Sequence, residues 1–189
     1  METIILNNDN LRDEDVQKYG NKARALLLMG DKLLVSEYGG VILFPGGSID
    51  RGESQWDAIV RELREETGII YNPGDLENFF LLKHYQANYP TRDEELLHRL
   101  MITRYFIGEF KGYDLSNMKR SQKEIADHFD LRLMTPNDIL DYESDNPRKR
   151  FFDEENKEVI RMLKMRGVWY DFKRANWKLQ ANERTRSKR

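Results

Sequence analysis

The chain has 189 residues, a formal net charge of −2 and 34% charged residues, with no cysteine and three histidines. This length favours one domain, or one domain with an added element, and the near-neutral charge argues against a general attraction to nucleic acids. The missing cysteines exclude disulfides, thiolate zinc sites and a cysteine nucleophile, and a histidine-rich metal site is not expected.

The N-terminal segment predicts a short strand rather than a targeting signal. It lacks a basic region followed by a long apolar run, and no stretch of the chain reaches the apolar length of a membrane span. We therefore expect a cytoplasmic protein. Residues Thr3–Leu6 predict an edge strand, and the polar segment Asn7–Gly20 predicts a loop.

Three apolar runs then predict strands that lead to a pair of glycines. Lys22–Met29 indicates a buried strand, Lys32–Glu37 its hairpin partner, and Val41–Phe44 a third, short strand. Arg24 is the one strong charge at the start of the first of these strands. It is either a charge at the rim or a contact to a substrate.

A glycine loop and a capped helix follow. Gly46 and Gly47 come directly after a strand and Pro45, which lets the backbone approach a ligand closely. Ser54 has the spacing of a helix N-cap, and Gly68 provides a left-handed stop. The helix is therefore predicted from Gln55 to Thr67.

The predicted helix separates apolar and acidic residues onto different faces. The arc that we expect to be buried contains Trp56, Ile59, Val60 and Leu63. Glu62, Glu65 and Glu66 share the other side within about 100°. Arg61 can pair with Glu65, which leaves two carboxylates without a local partner. A hard divalent cation such as Mg²⁺ would relieve their repulsion.

The stretch from Gly47 to Ile69 resembles the signature of the Nudix hydrolases. That signature is glycine, five residues, glutamate, seven residues, and then Arg-Glu-aliphatic-any-Glu-Glu-any-Gly-aliphatic. The matching residues are Gly47, Glu53, Arg61, Glu62, Leu63, Glu65, Glu66, Gly68 and Ile69. Every specified position is filled, and chance agreement is on the order of 10⁻¹⁰ at average residue usage.

The resemblance implies a role for each matching residue. The implied metal ligands are Glu62, Glu65, Glu66 and the carbonyl region at Gly46, with Mg²⁺ or Mn²⁺ as the metal. The implied catalytic residues are Glu62, Glu65, Arg61 and, downstream of the box, Glu124. The candidate substrate-binding residues are Arg24, Gly47 and Tyr85, and Glu53 and Gly68 are structural members of the box. The general base is a glutamate either of the box or of a downstream loop.

Beyond the box the sequence predicts further strands and a short helix. Strands are expected within Leu76–Tyr89, at Arg99–Phe110 and at His128–Met134, with a capped helix from Thr135 to about Tyr142. A polar loop, Asn88–Glu95, separates the first two strands. Of the acids in this half of the chain, Glu124 ranks first as a base or metal ligand, and Glu94 and Glu95 follow.

The C-terminal part predicts a long helix and a basic tail. The helix is expected from Asp153 to about Gln180, with Met162, Met165, Trp169 and Phe172 at helical spacing. This apolar face packs against the domain, forms a homodimer face or provides an aromatic wall for a base. The tail from Lys173 onward is rich in Lys and Arg, which is usually a solvated feature but leaves an RNA partner open.

The resemblance implies an α/β fold, a Nudix-type α/β/α sandwich with a mixed β-sheet and a C-terminal helix. We expect a Nudix domain at residues 1–145 and a C-terminal helix and tail at 146–189, packed on or continuing that domain. The implied activity is Mg²⁺-dependent cleavage of a diphosphate linkage in a nucleoside triphosphate, ADP-ribose or a dinucleoside polyphosphate. The alternatives are a non-catalytic nucleotide-binding module and a pyrophosphohydrolase acting on RNA 5′ ends.

Overall fold

The computed structural model describes residues 2–91, 93, 95–119 and 129–168. In this part of the chain the strands are β1 (Glu2–Leu6), β2 (Lys18–Met29), β3 (Lys32–Tyr38), β4 (Val41–Leu43), β5 (Gly46–Ser48), β6 (Leu76–Pro90), β7 (Leu96–Glu109) and β8 (Asp130–Met134). The helices are α1 (Gln55–Thr67), α2 (Pro136–Leu140) and α3 (Lys149–Met165), with a 3₁₀ turn at Asp13–Asp15.

The strands form one mixed, 8-stranded sheet. Its order is β1-β6-β7-β2-β3-β4, while β5 pairs with β2 and β8 pairs with β3. The β1–β6 and β2–β7 pairs are parallel, and the hairpin pair β6–β7 is antiparallel. The mixed sheet that the resemblance implied is therefore confirmed.

Helices cover both faces of the sheet, because the side chains of β2 alternate between two cores. On one face, Ala23, Ala25 and Leu27 pack with Ala58, Ile59 and Leu63 of α1. On the other face, Leu26 and Leu28 pack with Ile139 of α2 and with Val159, Ile160 and Leu163 of α3. This arrangement confirms the α/β/α sandwich with a C-terminal helix.

The predicted caps set the limits of α1. The backbone N–H of Asp57 donates to Oγ of Ser54 at 3.1 Å, and Gly68 ends the helix at φ 75°. A Cβ atom on Gly68 would lie 1.8 Å from the carbonyl oxygen of Asp114, so the close approach of that segment also requires glycine. Trp56, which the sequence placed on the buried face, is only half-buried.

Long-range pairing changes several predicted strand limits. The glycine pair was expected in a loop, but Gly46–Ser48 forms β5 because it pairs with Lys22–Arg24 of β2. β2 itself begins at Lys18, inside the segment expected to be a loop, because β7 pairs with it from Arg99 onward. The β6–β7 hairpin also extends further than predicted and leaves a shorter loop, 91–95.

The C-terminal helix starts and stops earlier than the sequence indicated. α3 begins at Lys149, where Phe151 is buried in its first turn, and ends at Met165 before Gly167 with φ 71°. Met162 is buried, whereas Met165 is 62% exposed. The rest of the predicted helix and the basic tail lie outside the described residues. Because α3 completes the core, we propose that residues 146–168 continue the first domain.

Among the described residues, no helix combines the length and the apolar character needed to cross a membrane.

Candidate active site

A cavity of about 330 Å³ opens where β2, β3, β5 and α1 meet. Four residues of its wall have charged side chains, namely Lys22, Arg24, Glu62 and Glu66. Gly46 and Gly47 also line it, where the absence of a side chain lets a ligand approach the backbone. The sheet supplies the two cations and the glycines, and α1 supplies the two carboxylates. Residues from distant parts of the sequence therefore meet at one place, as a binding site requires.

Glu66 lies at this cavity and not on the solvent side of α1. Its side chain is only 6% exposed, and its Oε2 accepts a hydrogen bond of 3.1 Å from the backbone N–H of Gly46. The sequence placed Glu66 with Glu62 and Glu65 on the side of α1 away from its apolar face. β5 adds a wall on that side, which helical periodicity alone does not reveal.

Gly47 makes room for the carboxylate of Glu62. A Cβ atom at Gly47 would lie 2.3 Å from Oε1 of Glu62, so any other residue here would displace that carboxylate. Burial raises the pKa of Glu62, although Arg61 acts in the opposite direction. A bound cation would favour the ionised form of this acid.

Arg61 of α1 connects this helix to the segment that precedes it, from Ser48 to Glu53. Its guanidinium binds both carboxylate oxygens of Glu53, at 2.8 and 2.9 Å, and donates to the carbonyl oxygen of Ser48 at 3.0 Å. These hydrogen bonds lower the pKa of Glu53 to about 2. Arg61 also donates to Glu62 at 2.8 Å, while its contact with Glu65 is 3.8 Å. Arg61 therefore contacts Glu62 more closely than Glu65, the partner that the sequence predicted.

Glu65 has a different position from its neighbours. Its side chain is 41% exposed. It lines a shallow groove on the outer side of α1 with Trp56 and Lys119, and it is not part of the cavity wall. The structure therefore brings Glu62 and Glu66 together at the cavity and leaves Glu65 beside it.

Two cations on β2 face the cavity. Arg24 is 3% exposed and donates to the carbonyl oxygen of Phe44, so it is a buried residue and not a rim charge. Lys22, which the sequence did not single out, lines the same cavity, and burial together with Arg24 lowers its pKa to about 7. Its place two residues before Arg24 on the same face of a strand was the signal that could have identified it.

Ser36 is a second residue that the sequence did not indicate. It is buried at the cavity wall, and its Oγ has no hydrogen-bond partner in the part of the chain that the structure describes. A buried hydroxyl without a partner costs free energy unless a ligand or water satisfies it. Ser36 therefore indicates that a polar group occupies this cavity in the working protein.

Two further candidates, Tyr85 and Glu95, lie outside this cavity. The hydroxyl of Tyr85 donates to Asp13 at 2.6 Å, and Tyr85 does not line the cavity. Glu95 lines a separate cavity at the end of the β6–β7 hairpin. Glu124 and Glu94 are outside the described residues, so their predicted roles as base or metal ligand stay predictions.

Comparison with known proteins identifies the family to which this fold and site belong. The sequence profile of the NUDIX domain matches residues 18–154, which is more than half of the chain. The chain belongs to the NUDIX family. It is therefore classed as a Nudix pyrophosphohydrolase, as its sequence signature indicated. The comparison with curated protein sequences finds no match.

Three solved structures to which this chain is similar have lower sequence identity. The MutT protein from Methanosarcina mazei Go1 is 23% identical, with 77% of this chain and 98% of that chain covered and a TM-score of 0.48. The E. coli ORF135 protein is 21% identical, with 76% and 91% covered and a TM-score of 0.47. A NUDIX hydrolase from Nitrosomonas europaea is 17% identical, with 74% and 88% covered and a TM-score of 0.49.

The cavity of this Nudix protein fits a hard divalent cation. Among the described residues, no three His, Asp or Glu side chains already form a closed metal cluster. Glu62 and Glu66 nevertheless offer carboxylate oxygens to one cavity beside the backbone of Gly46. Mg²⁺ is usually bound by one or two carboxylates, several waters and substrate phosphates rather than by a complete protein cage. The oxygen donors present match that requirement.

A buried ionic cluster supports the cavity from the α3 face. Glu155 of α3 accepts a hydrogen bond from Tyr105 and lies 4.0 Å from Arg24 and 4.0 Å from His84. Burial opposes protonation of His84, but its hydrogen bond to Glu154 and the nearby carboxylate of Glu155 raise its pKa. The cluster holds Arg24 in place, and nothing in the local sequence around Glu155 indicates it.

Proposed function

We propose that this Nudix pyrophosphohydrolase uses Mg²⁺, with Mn²⁺ as a substitute, to hydrolyse a diphosphate linkage in a nucleotide. The substrate class is a nucleoside diphosphate linked to another group, as in nucleoside triphosphates, ADP-ribose and dinucleoside polyphosphates. The observation that carries the proposal is the meeting of Glu62 and Glu66 with the cations of β2 at one cavity. Carboxylates for a metal and cations for phosphates are both needed for this chemistry.

Each residue at the cavity has a proposed part. Glu62, Glu66 and the backbone at Gly46 would hold the cation, which when bound neutralises phosphate charge and lowers the pKa of a water. Lys22 and Arg24 lie on the sheet side of the same cavity and would attract and orient the phosphates.

Hydrogen bonds complete the proposed arrangement. The unpartnered Oγ of Ser36 would donate to a substrate oxygen. Arg61 acts on the reaction indirectly, because its bonds to Glu53, Ser48 and Glu62 fix the position of a cation-binding carboxylate. The proton acceptor is assigned either to Glu65 of α1 or to Glu124 of the segment outside the described residues.

The arrangement of the acids distinguishes this proposal from a merely structural acidic helix. A helix stabilised by surface pairs would match its acids with lysine or arginine on the same face. Here the guanidinium of Arg61 is bidentate to Glu53, outside the helix, and reaches Glu62 through one nitrogen. Glu66 meets a backbone N–H of β5 at the cavity wall. Both acids are therefore held in position at the cavity wall by contacts outside their own helical face.

The test is product release from a substrate panel in the presence of Mg²⁺, of Mn²⁺ and of a chelator. The panel contains normal and oxidised nucleoside triphosphates, ADP-ribose, diadenosine polyphosphates and triphosphorylated RNA. Wild type is compared with Glu66→Gln and with a matched control, Glu77→Gln, which changes an exposed glutamate of β6.

We expect product release that requires the cation, a loss on the order of 10³-fold in Glu66→Gln, and wild-type rates in Glu77→Gln. Hydrolysis that persists in the chelator, or full activity of Glu66→Gln, would refute the proposal. Nucleotide binding without any product would indicate a binding module instead.

A further inference from the structure

A second cavity lies between the end of the β6–β7 hairpin and the start of α3. Its volume is about 450 Å³, within the range of about 300–1,000 Å³ in which proteins bind small molecules. Three cationic side chains line it, those of Lys18, Arg99 and Arg148. Three cations in one cavity of this size indicate an anionic ligand.

This cavity is separate from the candidate active site. Among the described residues, the two cavities have no wall residue in common. Lys22 is the residue of the first cavity that lies nearest along β2 to Lys18 of the second, and this spacing corresponds to roughly 13 Å. A small ligand in the second cavity is therefore not the group that reacts at the first.

Contacts within the protein hold the two arginines of this cavity in position. The guanidinium carbon of Arg99 lies 3.1 Å from the centre of the Tyr89 ring, and that of Arg148 lies 5.7 Å from it. Nε of Arg99 donates to Gln86, and Nε of Arg148 donates to the carbonyl oxygen of Pro90 at 3.0 Å. Both guanidinium groups are therefore positioned before any ligand binds, which lowers the entropic cost of binding.

Ion pairs do not balance the charge of these cations. Within the part of the chain that the structure describes, none of the three forms a salt bridge with a carboxylate. Asp93 and Glu95 also line the cavity, but both are exposed to solvent, which screens their charge. Burial lowers the pKa of Arg99, so its charge is partly desolvated and would gain from an anionic ligand.

The number and type of the cations favour a phosphomonoester over a carboxylate. A phosphomonoester carries about −1.5 to −2 charges at neutral pH and has three strong acceptor oxygens, whereas a carboxylate carries one charge on two oxygens. Guanidinium groups bind phosphoryl oxygens through paired hydrogen bonds. The bond of Arg148 to Pro90 uses Nε, which leaves its two terminal nitrogens for such a contact.

We propose that the second cavity binds a small, free phosphomonoester, such as a phosphorylated sugar, whose phosphoryl group contacts Lys18, Arg99 and Arg148. The volume of the cavity leaves room for the body of the ester beside its phosphoryl group. That body lies toward the end of the hairpin, where the carboxylates of Asp93 and Glu95 accept hydrogen bonds from its hydroxyl groups. This ligand is additional to the nucleotide of the proposed hydrolysis and does not depend on that reaction.

Calorimetric titration with glucose 6-phosphate tests the site, in a chelator so that no divalent cation contributes. Arg148→Gln is compared with wild type and with a matched control, Arg150→Gln. Arg150 lies over Phe151 and donates to the carbonyl oxygen of Ala87 at 2.7 Å, but it does not line the cavity. We expect roughly 10-fold weaker binding in Arg148→Gln, because one charge-assisted contact is lost, and wild-type affinity in Arg150→Gln. Equal affinities in the two variants overturn the proposal.

Two lysine variants exclude a folding defect in Arg148→Gln and binding at the first cavity as explanations. Lys18 is exposed, and its side chain has no hydrogen bond or salt bridge within the described residues. Lys18→Gln should bind glucose 6-phosphate roughly 3-fold more weakly without a change in the unfolding midpoint in urea. Lys22→Gln, which changes the first cavity, should keep wild-type affinity. Unchanged binding in Lys18→Gln, or a loss confined to Lys22→Gln, contradicts the proposal.

Titrations with two other anions at constant ionic strength identify the ligand chemistry. Orthophosphate should bind wild type roughly 3-fold more weakly than glucose 6-phosphate, because it makes no contact with the hairpin end, and acetate roughly 30-fold more weakly. Orthophosphate that binds as tightly as the ester assigns the cavity to free phosphate, and acetate that does so makes it a general anion site. Either result overturns the phosphomonoester, as does a wild-type protein that binds neither phosphate. None of these titrations requires turnover, so failure of the proposed hydrolysis would leave their outcome unchanged.

Discussion

α1 and α3 cover opposite faces of one sheet, and their glutamates have opposite surroundings. Glu62 and Glu66 of α1 face an open cavity, where one contacts Arg61 and the other a backbone N–H. Glu155 of α3 is 7% exposed and is enclosed by Tyr105, Arg24 and His84. The same residue type therefore lines a cavity on one face of the sheet and is enclosed in an ionic cluster on the other.

The comparison shows that the neighbours of a carboxylate decide its role. A buried acid surrounded by cations and hydrogen-bond donors gains little from further ligands, and removing it leaves uncompensated charge. An acid at the wall of a cavity lies where a ligand can reach it. We therefore expect substitutions on the α1 face to lower activity with little change in stability, and substitutions on the α3 face to lower stability.

The largest effect is expected on the α1 face from Glu62→Gln. Loss of this carboxylate should lower kcat/KM by about 10³-fold, equivalent to about 4 kcal/mol, because a cation-binding charge is removed. Stability in urea should change by less than about 1 kcal/mol, because burial already disfavours the ionised form. Steady-state kinetics and urea unfolding of the same preparation measure both quantities. If Glu62→Gln keeps wild-type activity, Glu62 is not part of the active site.

The α3 face should respond in the opposite way to Glu155→Gln. Removing the charge leaves Arg24 buried without this acid and leaves His84 with Glu154 alone, which should lower the free energy of unfolding by about 3 kcal/mol. Glu158→Gln on the same helix is the matched control. Its partner Arg161 is half-exposed, so we expect a change below about 1 kcal/mol. Equal unfolding free energies in the two variants would show that the cluster is not stabilising.

A smaller effect is expected from Gly47→Ala, which acts through Glu62. The new Cβ would meet Oε1 of Glu62 and shift its carboxylate away from the cavity. We expect a loss of about 10- to 100-fold in kcat/KM, the size typical of mispositioned metal ligands. Titration with Mn²⁺, followed by its paramagnetic signal, should show weaker metal binding. Wild-type metal affinity would show that Gly47 does not position this acid.

The smallest effect concerns the pH dependence of stability at Glu53. Its folded-state pKa of about 2 is below the ordinary value of 4.5, chiefly because of Arg61. A lowered carboxyl pKa stabilises the fold above pH 4.5 and loses this contribution as the pH falls toward 2.

After allowance for solvent screening of this pair, the Glu53 contribution should be about 1 kcal/mol. Glu53→Gln should therefore be less stable than wild type at neutral pH, and the difference should shrink toward pH 2. Urea unfolding across this range measures the difference. A constant difference at every pH would exclude the carboxylate as its source.

Local features of the site were predictable from the sequence. The limits of α1 were predicted correctly because Ser54 and Gly68 act on residues within one turn of themselves. The box spacing also identified the family, which the match over residues 18–154 confirms. Both depend on residues close together in the chain, which is the range over which sequence patterns are informative.

The sequence missed what depends on pairing between distant segments. The predicted glycine loop became β5 because β2 lies beside it, and the hydrogen bond from Gly46 then placed Glu66 at the cavity. Lys22 and Ser36 were not identified because polar residues are common in strands. Their possible role becomes visible only when the fold places them at a cavity. α3 was placed too late in the chain, because Phe151 is fixed by packing and not by a capping residue.

The sequence alone therefore determined the family and the helix that carries the glutamates of the box, because these follow from short spacings and local caps. Only the tertiary structure decided which glutamates meet at the cavity and which cations face them. It also decided that Glu155 lies beside Arg24 and that Lys18, Arg99 and Arg148 line one cavity. The physical reason is that burial, charge and hydrogen bonding at these positions arise from contacts between segments far apart in the chain.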